Sequence, residues 1–154
     1  MARRRPFRYH ALLRVRKRQE ELKAAALARI RRGIRRNEEE RDHIAAAQRS
    51  MFDEAGRRSE TSFRARDVQR YFDYERHLAR LAVEKDAALA ELRKREEASR
   101  AELEEATKKK RVVELLKERQ DGAFMADVMK EEQKFTDEIA TIHAAISLTH
   151  GRES

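Results

Sequence analysis

The sequence predicts an all-α protein, a long antiparallel two-helix coiled coil with a shorter helical segment near one end. Three observations predict it. The 154 residues include only 4 Gly and 1 Pro, too few breakers for a sandwich, a barrel or an α/β enzyme, all of which need many turns. The chain is 43% charged, 40% hydrophobic and only 6% aromatic, the composition of long charged helices. Its apolar residues also recur in steps of three and four, which argues against the disorder that high charge alone would imply.

The first helix is expected from about residue 8 to about 55, after Pro6. Leu12, Val15, Leu22, Ala26 and Ile30 form one apolar row, with Leu13, Leu27 and Ile34 beside it. Gly33 weakens the helix by about 1 kcal/mol without ending it. After a polar stretch from Arg35 to His43, the row resumes at Ile44, Ala47, Met51 and Phe52. At ~1.5 Å per residue the helix is roughly 70 Å long and needs a partner along its length. A turn is expected at 56–62, with Gly56 as a left-handed C-cap and Ser59 or Thr61 capping the next helix.

The second helical region spans about 62–148. Val68, Tyr71, Glu75, Leu78, Ala82, Lys85, Leu89, Leu92, Glu96, Ser99, Leu103, Ala106, Lys110 and Val113 keep strict alternating steps of three and four. The steps lengthen through Gln120, Phe124 and Val128, with Gly122 a candidate bend. They return at Phe135, Ile139, Ile142 and Ile146. The whole chain, 1–154, reads as a single coiled-coil domain. Two registers compete. A hairpin centred on residue 59 pairs the first helix with 62–110 and leaves the C-terminus unpaired. Pairing the chain ends sets Leu12 and Val15 against Ile139 and Ile142, and Ala26 and Ile30 against Phe124 and Val128. The second register is favoured because it leaves no long apolar row exposed. Residues 61–98 would then project or fold back at one end.

Charge is unevenly spread. Residues 1–36 hold 14 Lys and Arg against 2 Glu, a net of +12, while residues 37–154 hold 23 basic against 27 acidic residues, a net of −4. Such a basic segment suits an acidic protein surface, nucleic acid or anionic lipid. With no Cys, neither a disulfide scaffold nor a zinc-thiolate site is possible. No apolar run reaches eighteen residues, and no apolar segment follows Arg3, Arg4 and Arg5, so neither a membrane span nor a secretory signal peptide is expected.

Chemistry finds little footing. There is no Gly-rich phosphate loop, no G-x-S-x-G and no Cys nucleophile. Glu40 and His43 form a single Glu-x-x-His unit, whereas a di-iron bundle needs two such units and two further Glu. Glu96–Glu97 and Glu104–Glu105 are adjacent on a helix and do not share a face. Lys108 to Arg111, bracketed by Glu104, Glu105 and Glu114, reads as a solvated helix face. The basic run of Arg3, Arg4, Arg5, Arg8, Arg14, Arg16, Lys17 and Arg18 lacks any zinc-finger, helix-turn-helix or RNP signature, so an acidic protein partner is the better reading. Tyr71, Tyr74 and Leu78 share a helix face with Phe72 beside it, a packing seam or a docking surface.

Three segments together resemble the FliJ family, the coiled-coil component of the flagellar type III export apparatus. Phe7-Arg8-Tyr9 followed by Leu12-Leu13-Arg14-Val15-Arg16 is similar to the family's opening. Tyr71-x-x-Tyr74-x-x-x-Leu78 resembles its aromatic-then-leucine segment, with Tyr where Phe is commoner. Leu116 to Gln120, Glu132-Gln133-Lys134 and Asp137 to Ala140 look like its closing helix. The resemblance covers nearly the whole chain. It implies a non-enzymatic stalk that inserts into the ring of the flagellar export ATPase and links it to the export gate. Implied partners are that ATPase, the cytoplasmic domain of the export-gate membrane protein, and export chaperones, with no cofactor and no nucleic acid. It also implies export-gate contacts from Tyr71, Tyr74 and Leu78. ATPase contacts are expected from Arg14, Arg16, Arg18, Arg119, Gln120, Gln133 and Asp137. A cytoplasmic monomer, peripheral at the inner membrane, is expected to serve flagellum biogenesis and so motility and chemotaxis. The stalk of injectisome secretion systems and a basic helical nucleic-acid-binding protein are the alternatives.

Overall fold

The computed structural model describes residues 8–58 and 64–150. They form two α-helices, α1 at His10–Arg58 and α2 at Ala65–His150, that pack against each other, with no strand among the described residues. The Tyr9 carbonyl accepts the Leu13 N–H at 2.9 Å as α1 begins, and the Arg64 carbonyl accepts those of Asp67 and Val68 ahead of α2. Asp67 in the first turn of α2 and Arg57 and Arg58 in the last turn of α1 carry the charges that each helix end favours.

Two sequence expectations fail locally. No described residue has positive φ, so Gly56 is not a left-handed cap, and α1 continues through it to Arg58. The Arg58 guanidinium, 3.0 Å from Glu54 one turn earlier, supports that last turn. Ser59 and Thr61, the expected caps, lie outside the described residues. In addition, α2 is one helix from Ala65 to His150, through Gly122, so the described part of the expected 61–98 segment is continuous with the rest of it.

The described chain falls into two compact units. One spans Gln19–Ala106, and the other combines the chain up to Arg18 with the chain from Thr107. Within the first, ion pairs fix how the helices meet. Lys23 meets Glu102 at 2.5 Å, Arg31 meets Glu96 at 2.8 Å, and Arg41 meets Asp86 at 2.9 Å. Numbers rise along α1 as they fall along α2, so the helices of this unit run in opposite directions. Gly33 lies beside Leu92. This is the hairpin register, and it overturns the favoured pairing of chain ends. Ala26 and Ile30 lie between Lys23 and Arg31, opposite the stretch from Glu96 to Glu102 rather than Phe124 and Val128.

The inward side of α2 is the one the sequence spells out. From Tyr71 to Val113 every position of the predicted seam except Glu75 is buried or half-buried. On α1 the pattern differs. A seam of residues withdrawn from solvent runs through Leu13, Arg16, Glu20, Lys23, Leu27, Ile30, Ile34, Asn37, Arg41, Ile44, Gln48, Met51 and Ala55 in unbroken steps of three and four, with Ala26, Gly33, Glu38, Glu40, Ala45 and Ala47 half-buried beside it. Leu12, Val15 and Leu22, expected in the apolar stripe, are instead 37%, 51% and 53% exposed. Long Arg and Lys stems can lie along an apolar seam while their charges reach water, so the charged residues hold seam positions that a hydrophobicity reading passes over.

In the second unit Leu13 and Val113 are buried. Lys117, Gln120, Phe124 and Val128 are half-buried, and every residue from 129 to 149 is exposed. Ile139 and Ile142 are 40% and 52% exposed, so the expected Leu12 and Val15 seam against them is not made.

Apolar burial and ion pairs contribute unequally. Exposed ion pairs are worth about 0–1 kcal/mol each, whereas truncating a buried Leu costs about 2–5 kcal/mol. Leu89→Ala is therefore expected to lower the unfolding free energy by about 2–4 kcal/mol in urea denaturation, and Arg93→Ala, which removes an exposed guanidinium 3.3 Å from Glu38, by less than about 1 kcal/mol. At Gly33 an added Cβ would sit 3.9 Å from both Leu92 methyls, an ordinary contact. Gly33→Ala is accordingly expected to raise stability by about 0.5–1 kcal/mol, read as a higher urea midpoint with an unchanged slope.

Candidate functional site

In the unit spanning Gln19–Ala106, α1 and α2 form a cleft of about 490 Å³ lined by residues that include Met51, Glu54, Arg58, Arg70, Tyr71 and Tyr74. Tyr71 holds a seam position and donates its hydroxyl hydrogen bond to the Met51 carbonyl on α1. Burial, then the negative charges of Glu75 and Glu54, push its hydroxyl above the usual tyrosine range and keep the donor proton in place. Tyr74, three residues on, turns out of the seam and is 49% exposed, and Phe72 is exposed as well. Leu78 is buried at 5% exposure. The three residues expected at the export gate thus divide. Tyr71 is tied to α1, Leu78 lies in the core, and of the three Tyr74 alone leaves about half of its surface open to an incoming partner.

A second polar feature lies deeper in the same unit. Asn37, at a seam position of α1, donates from Nδ2 to the Gly33 carbonyl at 2.8 Å. The Lys85 ammonium, from the facing seam of α2, donates to Asn37 Oδ1 and to Glu40. The hydrogen bond from Lys85 holds the Glu40 carboxyl below the usual carboxylate range, against the opposing effect of desolvation, with the charges of Lys85 and Arg36 adding to it. The lone Glu-x-x-His unit is thereby accounted for, since Lys85 and Arg36 engage its carboxylate. Sequence reasoning placed Lys85 in the seam but did not pair it with Glu40. Its own seam position was the available signal, because an ammonium there needs an acceptor from the facing helix.

The residues expected at the ATPase all belong to the other unit. Arg14 and Arg18 are exposed and four apart on α1, while Arg16 is half-buried in the seam. On α2, Arg119, Gln133 and Asp137 are exposed and Gln120 is half-buried. At roughly 100° per residue, Arg119, Gln133 and Asp137 share one face, opposite the row of Phe135, Ile139, Ile142 and Ile146. The Asp137 carbonyl accepts the Thr141 hydroxyl at 2.8 Å. Within the basic run of α2, Arg111 pairs with Glu118 at 3.0 Å and Glu114 at 3.4 Å, and these contacts, Glu118 first, raise its pKa further. Glu96 pairs with Arg31 on the facing helix, and Glu104 lies 4.0 Å from Arg100.

Among the described residues no group of three His, Asp or Glu is placed to hold a metal ion. No helix there is long and apolar enough to cross a membrane.

A model of one protein family, described as Flagellar FliJ protein, matches residues 6–147. The chain belongs to the FliJ family. No curated protein and no solved structure matches it. FliJ membership gives the chain a role associated with flagellar export, in a family of non-catalytic export components. The match includes both the tyrosine cleft and the exposed end of α2 as far as residue 147.

The Glu40 and Lys85 contact carries a pH signature. A carboxyl whose pKa is depressed on folding stabilises the fold above its unfolded pKa of about 4.3, and that stabilisation is lost as pH falls through the lower folded value. The protein is expected to lose more melting temperature between about pH 6 and about pH 3 than Glu40→Gln does. Parallel melting curves for the two across that interval check it.

Proposed function

We propose that this chain is the central-stalk and coupling protein of flagellar type III export. In this reading it binds the export ATPase ring, the cytoplasmic domain of the export gate, and export chaperones, and it performs no catalysis itself. The family match over residues 6–147 carries the reading, and the packing of two long helices supports it. The stalk works as one copy folded into an antiparallel coiled coil, in the cytoplasm and peripheral to the inner membrane.

The gate contact centres on the exposed ring of Tyr74, with Tyr71 and Leu78 fixing the surface from beneath. The ATPase contact is made by Arg14, Arg16 and Arg18 on α1 and by Arg119, Gln120, Gln133 and Asp137 on α2. A Tyr ring packs as a Phe ring does while its hydroxyl stays hydrated, so the departure from the commoner Phe is compatible with docking. An injectisome stalk would have the same build, and the flagellar description of the matching family favours the flagellar reading.

The test pairs the purified chain with the flagellar export ATPase and with the gate's cytoplasmic domain. The chain is expected to raise ATP hydrolysis and ring assembly and to hydrolyse nothing alone. Arg14→Glu with Arg18→Glu is expected to reduce that stimulation and leave gate binding intact. Tyr74→Ala is expected to weaken gate binding about tenfold, within the range of an interface anchor, with an unchanged melting temperature. A chain that neither binds nor stimulates the ATPase would refute the reading.

A further inference from the structure

We propose that the outward face of α1 is an interface for a second copy of this chain, in which two α1 helices pair antiparallel through their own opposite charges. This inference goes beyond the stalk reading and does not rest on it. The surface lies wholly within the unit spanning Gln19–Ala106. From residue 22 to residue 37 there is no carboxylate, while Arg29, Arg31, Arg32, Arg35 and Arg36 crowd together. Glu38, Glu39, Glu40 and Asp42 then follow at once. Part of this charge is already engaged. Arg31, Glu38, Glu40 and Arg41 reach across to α2, and Arg36 meets Glu40. The remainder forms a row. Ala28, Arg32, Arg35, Glu39, Asp42 and Ala46 follow in steps of four and three, the spacing of a helix–helix seam, and every one is exposed. Among the described residues, Arg32, Arg35, Glu39 and Asp42 make no hydrogen bond or ion pair.

The order of the charges identifies the occupant. The row reads basic and then acidic, so a parallel copy would set like charges together. An antiparallel copy turned about residue 37 sets Arg32 opposite Asp42, Arg35 opposite Glu39 and Ala28 opposite Ala46, each twice by the two-fold symmetry. The face is therefore complementary to itself. Each guanidinium offers a planar fork that matches a carboxylate, and alanines at both ends let the two helices approach closely. A nucleic acid fits the row poorly, because a continuous polyanion lying along it meets Glu39 and Asp42 as well as the arginines. A lipid surface fits poorly too, since the row has no large apolar side chain to insert. A contact of about five turns of one helix falls below the roughly 1,200 Å² of a standard stable interface, so the association is weak and reversible. A closed two-fold contact also stops at the dimer.

Sedimentation equilibrium of the full chain tests it at about 0.1 M salt, where charges more than about 10 Å apart are screened and those in contact are less so. The wild-type mass is expected to rise with concentration through the micromolar range, from 18.2 kDa toward twice that value and no further. Arg32→Glu with Arg35→Glu makes the row wholly acidic, and Glu39→Arg with Asp42→Arg makes it wholly basic. Each of these variants alone is expected to stay at monomer mass. An equimolar mixture of the two is expected to regain the dimer. So is a single chain carrying all four exchanges, whose net charge equals that of wild type. The four positions are exposed, and unchanged circular dichroism confirms folding. A wild-type chain at monomer mass at every concentration would overturn the proposal, and a face that serves a helix of another protein gives that result. A two-residue variant that dimerises like wild type sinks it as well, as does a four-residue exchange that stays monomeric while wild type dimerises.

Discussion

The structure depends on one geometric constraint. A straight α-helix presents a side chain to a neighbour every three or four residues and cannot do otherwise. On α1 that rhythm runs from Leu13 to Ala55 without a missed step, and on α2 it runs from Tyr71 to Val113 with Glu75 as its one exposed member. Everything else is fitted to it. Where the rhythm lands on Leu27, Ile34 or Leu89 the position is buried. Where it lands on Lys23, Arg41 or Lys85 the side chain runs out of the seam to a carboxylate of the facing helix. The seam is thus part apolar and part polar, and the polar positions restrict which residues can face each other. A sliding of one helix past the other by one turn would separate Lys23 from Glu102 and Arg31 from Glu96 together, although each pair alone is worth little. Polar residues at seam positions characteristically specify register at some cost in stability.

Much of this was legible in the sequence, and the failures share a cause. The α2 seam was read correctly because enough of its members are Leu, Ala or Val to show the period. On α1 the expected Leu13, Ala26, Leu27, Ile30, Ile34, Ile44, Ala47 and Met51 are buried or half-buried, but the first turns escaped the reading, because Arg16, Glu20 and Lys23 occupy three of the first four seam positions while the conspicuous Leu12, Val15 and Leu22 lie outside it. The register failed for a related reason. Matching apolar with apolar assumed that every apolar row must be satisfied within the chain. Chain connectivity favours pairing segments close to the turn, since closing a short loop costs less entropy than closing a long one. The ion pairs between the helices then hold that register. Gly56 shows the same limit on a small scale. Glycine permits a left-handed cap but does not compel one, and here the helix carries on for two more residues.

The candidate site was legible by residue type and not by exposure. Tyr71, Tyr74 and Leu78 stand out in sequence as one aromatic-aliphatic face, yet they fill three different environments. Tyr74 lies on the same broad face as Tyr71 and Leu78 but at its edge, about 60° from Tyr71 and about 40° from Leu78, so its ring is half exposed where Leu78 is buried. The seam was known correctly on α2, and it already contained Leu78 and Tyr71. Burial of Leu78 was therefore implicit in the periodicity, and only the expectation that residues 61–98 project from the main pairing obscured it.

The two ends of α2 are consequently built for different work. From Tyr71 to Val113 its seam side chains hold the pair of helices together, while Phe72, Tyr74, Val83 and Val112 stay exposed among charged neighbours. Beyond residue 128 the same three-and-four spacing continues with Phe135, Ile139, Ile142 and Ile146, but nothing covers it. An apolar row of that regularity lowers its free energy by meeting another helix, and leaving it open lowers the stability and solubility of an isolated chain. Selection for stability alone would replace those residues with polar ones, as exposed α2 positions such as Glu97 and Lys109 illustrate.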